Sequence, residues 1–145
     1  MQNLIIRKAA TNDLLSIEHL LQSSKLPVEG IPKHLQNFLI AEMNEKIVGT
    51  IGLEIYQQTG LLRSAVTATD LQNRGIGSRL VNMIIDYAKE QNVKELILLT
   101  ETAKDYFARK GFMPIDQQTV KGNIRSSVEF QGACPSTAIC MRKTL

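Results

Sequence analysis

Apolar positions along this chain keep two rhythms. Short unbroken or alternating runs read as strands, and stripes at three- and four-residue spacing read as helices. Residues 4–8 open the pattern as a strand. A helix follows, with Leu14, Ile17 and Leu21 on its apolar face, Thr11 placed to cap it and Asp13 complementing the dipole of its first turn. Prolines and a glycine make residues 26–32 a loop, and residues 32–36 form a turn with helical potential. Residues 38–42 and 46–54 then flank Met43-Asn44-Glu45 as a hairpin, where Asn44 suits a left-handed position. Gly49 and Gly52 inside its second strand point to a bulge or to close approach by a neighbour. Residues 61–67 make the next strand. Ile76, Leu80, Ile84, Tyr87 and Ala88 share one face of a helix, and the wholly apolar run 96–99 is a buried strand. That strand is expected to lie parallel to 61–67 through a right-handed helical crossover. A short helix over 102–110, closed by Gly111, precedes a strand at 112–115. Residues 128–130 and 138–142 are expected to end the pattern as a strand pair linked through Gly132 and Pro135. The order is that of one mixed α/β layer structure over residues 1–145.

One stretch in this pattern carries chemistry of its own: Gln72-Asn73-Arg74-Gly75-Ile76-Gly77-Ser78. A strand that turns through glycines into a helix aims several backbone N–H groups, and the positive end of the helix dipole, at one point. The result is an anion cradle suited to a pyrophosphate. A side chain there would hold the phosphate away from the amides, hence the glycines. Leu80 stands where a dinucleotide fingerprint wants a third small residue, and no G-K-[ST] follows, so the usual dinucleotide and nucleoside triphosphate loops are absent.

Composition changes this picture little. The 145 residues are 43% hydrophobic and 21% charged, enough for one domain with a genuine core. The formal charge of +3 suits an anionic ligand, but no basic run is interleaved with aromatics, so nucleic acid is not an expected partner. The first residues lack a basic start and a long apolar stretch, and no run reaches membrane-spanning length; a cytoplasmic protein with no membrane partner is expected. Cys134 and Cys140 do not match zinc spacings and read as reduced thiols, so no metal is expected. His19 and His34 read as surface residues.

The element order with this loop resembles the GNAT superfamily of acetyl-CoA-dependent N-acetyltransferases. Gln72-Asn73-Arg74-Gly75-Ile76-Gly77 satisfies their Q/R-x-x-G-x-G/A signature, and Phe107-Ala108-Arg109-Lys110-Gly111-Phe112 looks like their second landmark. The resemblance implies a mostly antiparallel central sheet flanked by helices, with a parallel strand pair around the coenzyme loop. It implies acetyl-CoA as cosubstrate, held by the amides from Asn73 to Ser78, with Gln72, Val66, Thr67 and Phe107 in the coenzyme site. The amine would attack the thioester directly in a ternary complex, with a backbone N–H near Val66 and Thr67 stabilising the oxyanion. A narrower resemblance, carried by Leu26-Pro27-Val28-Glu29-Gly30-Ile31, Gly52-Leu53-Glu54, Gly60-Leu61-Leu62-Arg63-Ser64, Leu98-Leu99-Thr100 and Cys134-Pro135-Ser136, is to the arsenic-resistance-associated subgroup. It implies a small amino-acid-like amine or an organoarsenical toxin as acceptor; dimers are common among such relatives.

Side-chain chemistry is less determined. Phe107 stands where the family often has the tyrosine that protonates the leaving thiolate, and Tyr106 is one residue earlier, rotated about 100° on a helix. Thr100 stands where many relatives carry asparagine. Glu54 and Arg63 lie on adjacent strands and Glu29 on a loop, so all three are candidates for the catalytic end of the cleft, with Glu101 ranked lower. Glutamates favour a cationic amine, and Arg63 suits an acceptor's carboxylate or other oxyanion. An Arg63–Glu54 salt bridge across the sheet is the plainer reading, and both can hold together. The competing functions are acetylation of protein or peptide N-termini, and a non-catalytic acetyl-CoA-binding regulator.

Overall fold

The computed structural model describes residues 3–133 and 137–145. Strands β1 (Leu4–Lys8), β2 (Phe38–Met43), β3 (Lys46–Tyr56), β4 (Thr59–Thr67), β5 (Glu95–Thr100), β6 (Met113–Ile115) and β7 (Ile139–Thr144) form one sheet in the order β1-β2-β3-β4-β5-β7-β6. Every neighbouring pair is antiparallel except β4 and β5, which are parallel. Helix α3 (Ile76–Glu90) makes the crossover between them, as the apolar run at 96–99 requires. The other α-helices among the described residues are α1 (Leu14–Ser23), α2 (Ile31–His34) and α4 (Lys104–Arg109).

Alternation along the inner strands feeds two layers of core. On β2, Leu39 and Ala41 join Leu80, Val81 and Ile84 of α3, whereas Phe38 and Ile40 join Ile17 and Leu21 of α1 and Ile31 of α2. Both faces of the sheet are therefore covered. A third cluster, Leu61, Ile97, Val120, Ile124 and Cys140, lies under the irregular segment between β6 and β7. Burial pushes the Cys140 thiol up to about 11. Cys134 lies outside the described residues.

The hairpin turn follows the reading of Asn44: Asn44 and Glu45 have φ of 52° and 64°. Gly52 is a place of close approach, since a Cβ there would come within 2.3 Å of the Phe38 ring. A bulge does stand beside Gly49, since Ala41 pairs with Gly49 and Glu42 with Ile47, leaving Val48 as the extra residue of β3; a second bulge is on β4. Thr50 pairs with Val66 and Gly52 with Arg63, so Ser64 and Ala65 together face Ile51, with Ser64 at φ 60°.

Three expectations change. Thr11 does not cap α1; the Asp13 carboxylate accepts from the Ala10 N–H at 2.7 Å and from both Arg7 Nη atoms at 2.8 and 3.1 Å. Residues 128–130 are not a strand. Glu129–Ala133 form an irregular helical turn, and β7 pairs instead with β5 and β6, whose Pro114 is tolerated at a sheet edge. His34 is no surface residue: it is half-buried, its Nε2 3.6 Å from a carboxylate oxygen of Glu54. Among the described residues no helix is long and apolar enough to cross a membrane.

Candidate active site

The β4–β5 pairing covers only Thr59 with Glu95, Gly60 with Leu96 and Leu61 with Ile97. Past Leu61 the bulge at Ser64 and Ala65 turns β4 away, and the gap opens into a cleft of about 1010 Å³. Its two ends are built differently.

One end is the start of α3. Gly75, at φ 83°, is its N-cap; among the described residues no side chain caps it, and Arg79 reaches back with its N–H, 3.1 Å to the Gly75 carbonyl. The N–H groups of Ile76, Gly77 and Ser78 consequently have no partner within the helix. A Cβ on Gly75 would meet nothing within 4 Å, while one on Gly77 would stand 3.4 Å from Thr67 Oγ1 and 3.9 Å from the Tyr106 hydroxyl. The glycines thus leave open ground in front of the amides. Gln72 Nε2 donates to the Thr67 carbonyl at 3.2 Å and ties the loop to the end of β4.

Two features favour an anion in this cradle. The Lys110 ammonium donates to Ser78 Oγ and, at 3.3 Å, to Asn82 Oδ1, which parks a cation at the positive end of a helix. That placement is unfavourable against the dipole unless an anion joins them. The Tyr106 hydroxyl, on the cleft wall beside Ser78, is buried with no partner in hydrogen-bond geometry among the described residues, and burial pushes its pKa up, so it remains a donor. Phe107 also lines the cleft, but its ring is spent on packing, edge to face with Phe112 at 5.5 Å and Tyr106 at 5.2 Å. Val66, Thr67, Gln72, Asn73, Ile76 and Ser78 line this end as well. Arg74 is exposed and does not line it. Thr100 Oγ1 accepts from the Ala103 N–H at 3.0 Å and shapes the approach to α4.

The other end rests on ions. Arg63 Nη1 donates to Glu54 at 2.8 Å, with the two side chains 0% and 1% exposed. Its Nε donates to Ser64 Oγ at 3.0 Å and its Nη2 to the Pro27 carbonyl at 3.4 Å, and Glu129 lies 3.8 Å away. Tyr56 donates to Glu54 at 2.5 Å. Burial alone pushes the Glu54 carboxyl up, but hydrogen bonds from Tyr56, Ser127 and Arg63 and the charge field of His34 outweigh it and hold the group below its ordinary value. Burial, reinforced by Glu54, pushes Tyr56 up to about 12. Burial first, then Arg63 and Lys33, lowers His34 against the pull of Glu54.

Of the three candidate catalytic side chains, Arg63 and Glu29 line the cleft, and Glu54 sits behind Arg63 off its wall. The salt bridge expected as the plainer reading is present. Glu129, Tyr56, His34 and Lys110 escaped the sequence reading. Tyr56 was two residues from Glu54 and so on its face of the strand; Glu129, flanked by Val128 and Phe130, looked like part of a strand.

A profile described as the acetyltransferase (GNAT) family matches residues 12–112. An uncharacterized N-acetyltransferase of Chlorobaculum tepidum is 27% identical over 95 residues, which is 65% of this chain and 61% of that protein. An amino-acid acetyltransferase of Mycobacterium tuberculosis is 26% identical over 131 residues, 83% of this chain and 74% of that protein. The N-acetylglutamate synthase of Neisseria gonorrhoeae, solved with coenzyme A and N-acetyl-glutamate, superposes with a TM-score of 0.83 at 22% identity. The match takes in 99% of this chain and 35% of that one. This chain therefore spans about three fifths of the first relative and about a third of the synthase.

Proposed function

From the premise that this chain belongs to the acetyltransferase (GNAT) family, we propose that it is an acetyl-CoA-dependent N-acetyltransferase acting on the primary amine of a small amino-acid-like molecule. The observation that carries this reading is a single cleft with an uncapped helix start at one end and a buried ionic cluster at the other. Acetyl-CoA supplies the acetyl group as an activated thioester. The N–H groups of Ile76, Gly77 and Ser78, with Lys110 beside them, hold its pyrophosphate. Tyr106 donates to the coenzyme from the facing wall, and Val66 and Thr67 guide its arm along β4 toward the bulge. Backbone N–H groups near that bulge stabilise charge developing on the carbonyl oxygen, an effect worth roughly 3 kcal/mol per donor in well-studied hydrolases. Arg63 and Glu29 face the acceptor, and Glu54 serves by fixing Arg63.

The amino-acid acetyltransferase of Mycobacterium tuberculosis and the synthase bound to N-acetyl-glutamate support an amino-acid-like acceptor. The organoarsenical acceptor and resistance setting implied by the subgroup resemblance are the finer form of the same proposal. Thiol release from acetyl-CoA, followed with a panel of amino acids and an amine-bearing organoarsenical, tests both. Turnover of amino acids supports the reading, and preference for the arsenical supports its finer form. A protein that is stabilised by CoA yet releases no thiol with any amine contradicts it.

A further inference from the structure

The acceptor end contains one carboxylate that differs from the rest. Glu29, Glu101 and Glu129 line the cleft. Glu29 and Glu101 are exposed, where water and salt screen their charge. Glu54 is buried but stands off the wall, engaged by Arg63 and Tyr56. Glu129 alone of these four is both on the wall and buried, at 5% exposure. A charge there is screened less by solvent than one on the exposed carboxylates, and Arg63 stands 3.8 Å from it.

Its position is fixed from several sides. The Glu129 N–H donates to Ser127 Oγ at 3.2 Å, and the N–H groups of Phe130 and Gln131 both reach the Ser127 carbonyl at 3.0 Å. Ser127 is itself buried, and Glu129 lies 3.8 Å from Arg63, so the turn sits against the ionic cluster. The loop bearing Glu29 abuts the same place: a Cβ on Gly30 would approach Val128 to 3.2 Å and Arg63 Nη1 to 3.4 Å. A guanidinium 3.8 Å from a wall carboxylate sets opposite charges side by side, the pattern a zwitterion matches in reverse.

We propose that Glu129 is the residue that recognises the acceptor's ammonium group and so selects cationic aliphatic amines. The inference rests on the acetyltransferase reading and adds to it a specificity-determining side chain. Glu129 attracts the ammonium through its negative charge on arrival and aligns the nitrogen with the opened end of the β4–β5 gap.

The test is Glu129→Gln, which keeps the shape and the acceptor oxygen and removes the charge. Acetyl transfer is measured at pH 7 with aliphatic α-amino acids, whose amino groups are protonated, and with aniline and 4-aminobenzoate, whose amines are neutral. The variant should raise KM for the aliphatic acceptors roughly 10–100-fold, with the aromatic amines within about twofold and stabilisation by CoA unchanged. An equal loss on both classes would show a structural role and overturn the proposal, as would retention of the aliphatic KM. A second measurement needs no variant. Against wild type, a trimethylammonium analogue of an accepted amino acid should inhibit at roughly tenfold lower concentration than its uncharged tert-butyl isostere. Equal inhibition would overturn the assignment while leaving acetyl transfer intact. Absence of any turnover by wild type would instead bring down the acetyltransferase reading and this inference together.

Discussion

The two ends of the cleft solve binding with different materials. The α3 end uses main-chain N–H groups, left accessible because Gly75 and Gly77 put no side chain in front of them. The Arg63 end uses buried side-chain ions locked to one another. A main-chain site depends on backbone shape and tolerates most side-chain changes around it. An ionic site fails when one member is lost, because the others remain buried and uncompensated. The contrast places tolerance at the coenzyme end and vulnerability at the acceptor end.

The largest expected effect is on stability. Arg63→Met should cost about 3–5 kcal/mol, because Glu54 is left buried without its cation. Adding Glu54→Leu should recover most of that loss, read as denaturant midpoints for the two variants. A double variant no more stable than Arg63→Met would show that the pair is not an isolated unit. The coenzyme end breaks differently. Gly77→Val should leave the midpoint nearly unchanged and weaken CoA binding on the order of 100-fold by calorimetry, since its side chain enters the space between Thr67 and Tyr106. Tyr106→Phe should be milder, roughly fivefold in coenzyme affinity, for one lost donor. A larger fall in kcat than in affinity would instead place this hydroxyl near the leaving sulfur.

The smallest and most gradual effect is on pH dependence. His34, Glu54 and Asp13 all have folded pKa values below their ordinary ones: His34 through burial, Glu54 through hydrogen bonds that outweigh burial, Asp13 through its hydrogen bond from Arg7. A folded value below the unfolded one adds stability above the unfolded value and loses it as pH falls toward the folded one. Tm should therefore begin to decline below about pH 6.5, as His34 takes up a proton in the unfolded chain, and again below about pH 4, as the carboxylates do. His34→Gln should remove the first decline and leave the second.

The same contrast explains what could be read from the sequence. The coenzyme end is local: a strand, a seven-residue turn and a helix, all contiguous, with glycine spacing that announces itself. The parallel pair, the crossover and the mixed sheet followed from that one stretch and the apolar run after it. The acceptor end is assembled from three separated stretches, the loop at Pro27, the β3–β4 hairpin with Glu54 and Arg63, and the turn at Glu129, brought together by the hairpin register and by contacts to Arg63. Glu54 and Arg63 were visible because their strands are neighbours in sequence. Glu129 was not, because its turn borrows the apolar flanks of a strand, and its place depends on a turn in which its own N–H donates to Ser127 Oγ. Likewise the extra residue on β4 at Ser64 has no glycine to mark it, whereas the one on β3 at Val48 stands beside Gly49, where the sequence pointed to it.

The central claim is that the N–H groups of Ile76, Gly77 and Ser78 receive the coenzyme's pyrophosphate. Backbone amide resonances followed during titration with CoA test it directly. The account predicts large, saturable shifts at those three residues, and slowed exchange of their amide protons, which inorganic pyrophosphate reproduces in part. Saturable CoA binding that leaves these amides unmoved would contradict it.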